Sequence, residues 1–472
     1  MPRLVTGQVA RSRRSPLNHP IAVVPFPNHR SFMRCFLGLV TLTAGCLSAG
    51  ATQAQETPIT HHAVADSADS ARVAWGRGVR ALRGRDLREA RNGIRRAATA
   101  WPTQPVYLWG RAVTSAMTGD TADVIAALTA YAALGLGRDL RADTAIARFL
   151  VLPAMRRIEA QHRENLEPLV GSTVRATLAD STFWPEGVDH DARTGRLYVG
   201  SIRHKTIAEV TPQGTVRELW PRGQVGMGAI LGVRVDAARG VVWATTTGLP
   251  LAAGYAAGDS TIAALVRVRI PDGVIERRWD LPPARQGHTL GDLAIGPSGD
   301  VFMTDSNEPV LYRLRPGADT LERLTHPLFR SLQGVAPAPD GRTVFVADYS
   351  HGLLHVELES GAVTRIEDAL NTTSLGVDGI AWDRGAIVAV QNGVAPARIM
   401  RFVLDPSGRR MTSAQLLDRN STVADEPTIG TIVDGSFVYV ANSQWEKYDG
   451  KGARLTGTVL RAPVLLEVRL PD

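Results

Sequence analysis

One short phrase returns six times after about residue 180, and it limits the possible folds more than any other feature of the chain. It is a Gly-hydrophobic pair, a turn, and then a strand rich in Val, Phe, Tyr and Ala. Its instances begin at Glu186-Gly187-Val188, Leu231-Gly232-Val233, Gly291-Asp292-Leu293, Gln333-Gly334-Val335, Asp378-Gly379-Ile380 and Ile429-Gly430-Thr431. The interval of 43 to 59 residues fits one four-stranded propeller blade per repeat. Turns such as Pro297-Ser298-Gly299 and Pro339-Asp340-Gly341 use Pro to preset one turn position and Gly to take the strained one. The runs after them, among them Val301 to Asp305, Thr343 to Asp348 and Ala386 to Val390, are too short and too β-branched for helices. A third strand such as Leu354 to Leu358 alternates apolar and polar residues, as a half-buried sheet does. The expectation is an all-β six-bladed propeller around a central channel.

A ring must close, because an open last sheet leaves unpaired edge groups. Ser172 to Asp180 alternates like a strand just ahead of the first repeat. Pairing of this segment with the last blade beside Val464 to Val468 is expected.

Between about Asp66 and Asn165 the period becomes that of amphipathic helices, with Ala, Leu and Arg dominant. Gly78, Ala81, Ala90, Ile94, Ala97 and Pro102 stand at spacings that resemble one tetratricopeptide repeat. A weaker copy runs from Val106 to Gly137, and Ala142 to Ile158 reads as a closing helix pair broken before Pro153. Such repeats bind partner proteins in a concave groove; the plainer alternative is that they cap the propeller. Trp75, Trp101 and Trp109 read as packing residues, and His61 and His62 as solvated linker residues. The chain is therefore read as multidomain: an extension and signal peptide over 1–55, a linker over 56–65, a small tetratricopeptide-like helical domain over 66–165 and the propeller over 166–472.

The net charge of +7 points at first to nucleic acid. Residues 1–55, however, hold Arg3, Arg11, Arg13, Arg14, Arg30 and Arg34 and no acid, so the remainder carries only +1. That leaves no electrostatic footprint for a nucleic-acid partner. Arg34, the apolar run Cys35 to Leu47 and the small residues up to Ala54 read as a secretory signal peptide, too short for a transmembrane segment. Met33 then reads as the better start. A periplasmic or secreted protein is expected. The segment Leu42 to Cys46 also resembles a bacterial lipobox, so an outer-membrane lipoprotein anchored through Cys46 is the alternative. Both cysteines, Cys35 and Cys46, lie in this leader, which excludes disulfides and thiol chemistry from the mature chain.

In a propeller the innermost strand of each blade starts near one mouth of the channel, so the residues before the repeated Gly converge on the axis. They are Glu186, Leu231, Gln333, Asp378 and Ile429, and the third repeat reads as shifted by one, offering Leu290 or Gly291 with Asp292 beside them. Two carboxylates and an amide oxygen on one axis suit a hard divalent cation. The polar clusters Gln391-Asn392-Gly393 and Asn442 to Tyr448 are expected near the opposite face, the second opening an insertion through Leu460 that is either a lid or a surface loop. His204 and His288 are unassigned, a lone His being more often structural. No Gly-x-Ser-x-Gly, His-Glu-x-x-His or phosphate-loop motif occurs.

Trp184-Pro185-Glu186-Gly187-Val188, Leu332-Gln333-Gly334-Val335 with the run Pro339 to Asp348, and Val377 to Ala381 together resemble the senescence marker protein (regucalcin)/gluconolactonase group of six-bladed propellers, over about residues 175 to 470. The resemblance implies one divalent cation, calcium or else zinc, held by Glu186, Gln333 and Asp378. It also implies hydrolysis of a small lactone or ester, with an aspartate as general base, here Asp378 or Asp292. Gln333 stands where the group has Asn, and Gly291-Asp292 where it has Asn-Asp. The alternative function is a non-catalytic propeller that holds a protein or ligand.

Overall fold

A computed structural model describes residues 67–471 apart from Leu370. The leader, with Met33, Cys35, Cys46, His61 and His62, lies outside the described residues. Six four-stranded antiparallel sheets follow one another along the chain, as the repeat predicts. Their innermost strands are Pro185–Asp191, Ala229–Asp236, Leu290–Ile295, Leu332–Pro337, Val377–Asp383 and Gly430–Val433. Each packs against the innermost strand of the next, and the sixth packs against the first. These six strands line the channel.

Closure follows the edge-strand argument. Ser172–Thr177 is the outermost strand of blade 6 and pairs antiparallel with Val464–Arg469, Ser172 opposite Val468 and Thr177 opposite Val464. Asp418 of blade 5 fixes its start, accepting from the Gly171 amide at 3.1 Å, the Ser172 amide at 3.0 Å and the Ser172 hydroxyl at 2.6 Å. The sheets hold together through apolar side chains that meet between blades. Phe345 of blade 4, for example, stacks on Trp382 of blade 5 with centroids 5.1 Å apart, a contact of about 0.5–1.5 kcal/mol beyond its buried area.

The helical part consists of α1 (Ser67–Arg83), α2 (Leu87–Ala100), α3 (Pro105–Met117), α4 (Thr121–Ala133), the single turn α5 (Thr144–Ala147) and α6 (Pro153–Leu166). Asp86 and Asp120 cap α2 and α4, accepting from the Glu89 and Asp123 amides. α1 and α2 cross at Gly78 and Gly93, where a Cβ on Gly93 would stand 2.8 Å from the Gly78 Cα. Trp101 and Trp109 are buried and Trp75 stacks on Tyr107 at 4.9 Å, so the tryptophans are packing residues. Leu375 and Val394, from loops of the propeller, belong to the same apolar core as the helices. The helical segment is thus docked on blades 4 and 5. Among the described residues no helix is long and apolar enough to cross a membrane.

Candidate functional site

A backbone irregularity sits at the repeated phrase in each of blades 1 to 5. The inner strand advances three residues while its partner advances two, between Pro185 and Val188, Ile230 and Val233, Leu290 and Leu293, Leu332 and Val335, and Val377 and Ile380. This is a β-bulge, which re-aims the side chain it carries. The bulged pairs are Glu186-Gly187, Leu231-Gly232, Gly291-Asp292, Gln333-Gly334 and Asp378-Gly379. The third repeat is therefore not shifted, contrary to the sequence reading. Gly291 holds the axial position, and Asp292 takes the place of the glycine found in the other four. That place is tight: a side chain at Gly187 would run into the Leu231 carbonyl of the next blade.

Glu186, Gln333 and Asp378 are all buried, at 5%, 6% and 8% exposure, in three different blades. Oε2 of Glu186 accepts from the Ser443 hydroxyl at 2.8 Å and the Trp445 indole at 2.9 Å. Oδ2 of Asp378 accepts from Nδ2 of Asn392 at 2.7 Å. Nδ2 also reaches the Pro427 carbonyl at 2.8 Å, and Oδ1 of Asn392 accepts from the Tyr349 hydroxyl at 3.1 Å. Nε2 of Gln333 donates to Ser331 at 3.2 Å. Each of the three side chains thus has one polar atom anchored, and among the described residues no hydrogen bond reaches Oε1 of Glu186, Oδ1 of Asp378 or Oε1 of Gln333.

Burial drives both carboxyls up from their ordinary range. For Glu186 the negative charge of Asp378 adds to the rise, with Asp292 contributing less. For Asp378 the Asn392 hydrogen bond works against burial, and Asp292 pushes further up. Asp292 is raised to about 6 by burial, opposed by the Arg234 guanidinium. Arg234 lies 3.1 Å from Asp292 and also donates to the Val188 and Val233 carbonyls. The Leu293 amide donates to Asp292 at 2.8 Å. Asp292 is therefore committed to a buried ion pair, whereas Glu186 and Asp378 repel each other.

The clusters expected at the opposite face belong to this one. Asn392, Ser443 and Trp445 all touch the site carboxylates, because the second strand of an antiparallel hairpin ends beside the start of the first. That rule, applied to Val377 opposite Gln391, was the signal in the sequence. Arg234 carried no comparable signal. The 442–460 insertion folds down: Tyr448 stacks on Trp184 at 4.3 Å, Trp445 meets Trp184 edge-on, and both are buried. His288 is structural, its Nδ1 2.5 Å from Asp305 and its Nε2 2.9 Å from the Pro282 carbonyl.

Among the described residues no group of three or more His, Cys, Asp and Glu side chains gathers to hold a metal ion. The donor set at the axis is instead two carboxylates and one carboxamide. It fits a hard cation in kind: oxygen donors only, two negative charges, and one oxygen on each residue without a hydrogen-bond partner.

The sequence model of the SMP-30/gluconolactonase/LRE-like region matches residues 184–424, just over half of the chain. The chain belongs to this family. Similar solved structures include a gluconolactonase from Xanthomonas campestris, at 17% identity over 64% of this chain and 95% of that one, with a TM-score of 0.42. An aldose sugar dehydrogenase from Streptomyces coelicolor matches at 16% identity over 64% and 98%, TM-score 0.43. A virginiamycin B lyase from Staphylococcus aureus matches at 13% over 65% and 100%, TM-score 0.42. A search among curated proteins gives no match.

Proposed function

We propose that this member of the family is a divalent-cation-dependent hydrolase of small lactones or related esters, acting outside the cytoplasm. The observation that carries the reading is the pair Glu186 and Asp378. Two buried carboxylates repel each other across the channel, each held by one oxygen. A buried pair of like charges is costly unless a proton or a cation compensates it. Export rests on the signal-peptide pattern of the leader.

Glu186, Gln333 and Asp378 would hold the cation, and when bound it would polarise the ester carbonyl and acidify water. Oδ1 of Asp378 would then face the cation, and the proton of the attacking water would pass to Oδ2, which accepts a single hydrogen bond, from Asn392, and keeps a second lone pair. Asp292 is the weaker choice for that role, since Arg234 and the Leu293 amide occupy both its oxygens. Trp445 and Ser443 fix Glu186 and help to exclude water from its anchored edge.

Assay of the purified protein against a panel of aliphatic lactones and aryl esters, with calcium and with a chelator, tests the reading. Calcium-dependent hydrolysis is expected, reduced by about 100-fold or more in Asp378→Asn. No hydrolysis of any ester above background, or equal rates for Asp378→Asn, would overturn it.

A further inference from the structure

Arg398 is buried, and among the described residues none of its hydrogen-bond partners is a carboxylate. It opens the third strand of blade 5 (Arg398–Leu404) and is only 4% exposed. Its Nη1 donates to the carbonyls of Leu134 at 3.0 Å and Gly135 at 3.4 Å. These lie just past the end of α4, where unpaired carbonyls carry the negative end of the helix dipole. Its Nε donates to Oε1 of Gln391 at 2.6 Å. The charge is therefore balanced by backbone dipoles of the helical segment, and burial pulls its pKa down to about 10.

Gln391 passes this hold inward. Its Nε2 donates to the carbonyls of Thr373 at 2.8 Å and Leu375 at 2.7 Å, so both polar atoms of the amide group are engaged. Thr373 and Leu375 lead directly into the strand Val377–Asp383 that carries Asp378. Val377 pairs with Gln391 itself, and the next residue, Asn392, holds the Asp378 carboxylate. The helices grip the same stretch a second time: the Thr103 hydroxyl donates to Asp368 at 2.9 Å, and Asp368 accepts from the Ser374 amide and hydroxyl. Leu375 and Val394 complete the apolar core of the helices, and the Gly137 amide donates to the Ala395 carbonyl at 3.0 Å.

We infer that the helical segment is a working part of the channel site, and that Arg398 is the positioning residue that carries its hold through Gln391 to Asp378. A buried cation without a carboxylate beside it is expensive, and the best-attested use of such a group is to fix register. Here the register is that of the strand start at 373–378. The inference deepens the cation-dependent reading of the site and relies on it for one of its two tests only.

The test compares Arg398→Met and the milder Arg398→Lys with Arg419→Met in the full chain. Arg419, the cross-strand neighbour of Arg398 on the outer strand of blade 5, also clasps the helices, donating to the Glu167 and Glu164 carbonyls, but among the described residues its side chain makes no hydrogen bond to Gln391 or to residues 373–378. Calcium affinity is measured by calorimetry, and backbone amide exchange is followed over residues 371–380. Arg398→Met is expected to weaken calcium binding by about 10-fold or more and to speed exchange over 371–380. Arg398→Lys falls between it and the parent, and Arg419→Met changes neither quantity. Parent-like exchange and affinity in Arg398→Met, or equal effects from Arg419→Met, would overturn the inference. Failure of the parent protein to bind calcium would sink the hydrolase reading, and the exchange comparison alone would then decide the role of Arg398.

Discussion

Nδ2 of Asn392 stands 2.7 Å from Oδ2 of Asp378, across the first two strands of blade 5. Tyr349, one blade away, fixes the other end of the same amide, so the carboxylate is oriented from behind. Asn392→Leu keeps the bulk and removes the donor. Because that hydrogen bond lowers the Asp378 pKa, its loss raises it, and the acid limb of the kcat/KM profile should move up by about one to two pH units. An unmoved limb would mean that Asn392 does not act on Asp378.

The site carboxylates also set a pH dependence of stability. The pKa values of Glu186 and Asp378 are raised on folding, so the folded chain favours their protonated forms. The stability they give is complete below the ordinary carboxylate range near about 4 and is lost as pH climbs through the raised values. Burial of His162, His204 and His355 lowers their pKa values and works in the opposite sense, so a difference is the proper readout. Between about pH 5 and 8, urea denaturation should show the metal-free parent losing stability relative to Glu186→Gln/Asp378→Asn. A constant difference would contradict the pKa directions.

Ring closure depends on Asp418, which accepts three hydrogen bonds at the head of the closing strand. Asp418→Ala should cost about 3 kcal/mol in denaturant unfolding. A change within about 0.5 kcal/mol, as for an ordinary surface site, would show that the strand start is held by other means.

Gly78 and Gly93 let α1 and α2 touch backbone to backbone. Gly93→Val should destabilise the helical part by about 1–3 kcal/mol through overpacking, measured as early loss of helical signal on heating. Unchanged melting would mean that the crossing can widen freely.

The architecture was legible because each blade repeats one phrase, and because an unpaired last sheet demanded a partner that Ser172 to Asp180 could supply. The equivalent placement of Glu186, Gln333 and Asp378, each opening the bulge of its inner strand, was legible for the same reason. The side chains that hold them were not. Asn392, Ser443 and Trp445 follow second strands, and placing them needed the hairpin geometry to be carried one step further. Gly291-Asp292 was misread because a bulge, invisible in the spacing alone, decides which of two neighbours faces the axis. Arg234 and Arg398 act across blades and between the helical and β parts, at sequence separations of 58 and 264 residues from Asp292 and Leu134, and local pattern carries nothing about such contacts.

Glu186 and Asp378 are proposed to share one cation in the channel. Calorimetric titration with calcium, run on the parent protein and on Glu186→Gln/Asp378→Asn, tests it most directly. One calcium is expected to bind per parent chain, with proton release at about pH 6, and none to bind the double variant. No binding by the parent, or equal binding by both proteins, would contradict it.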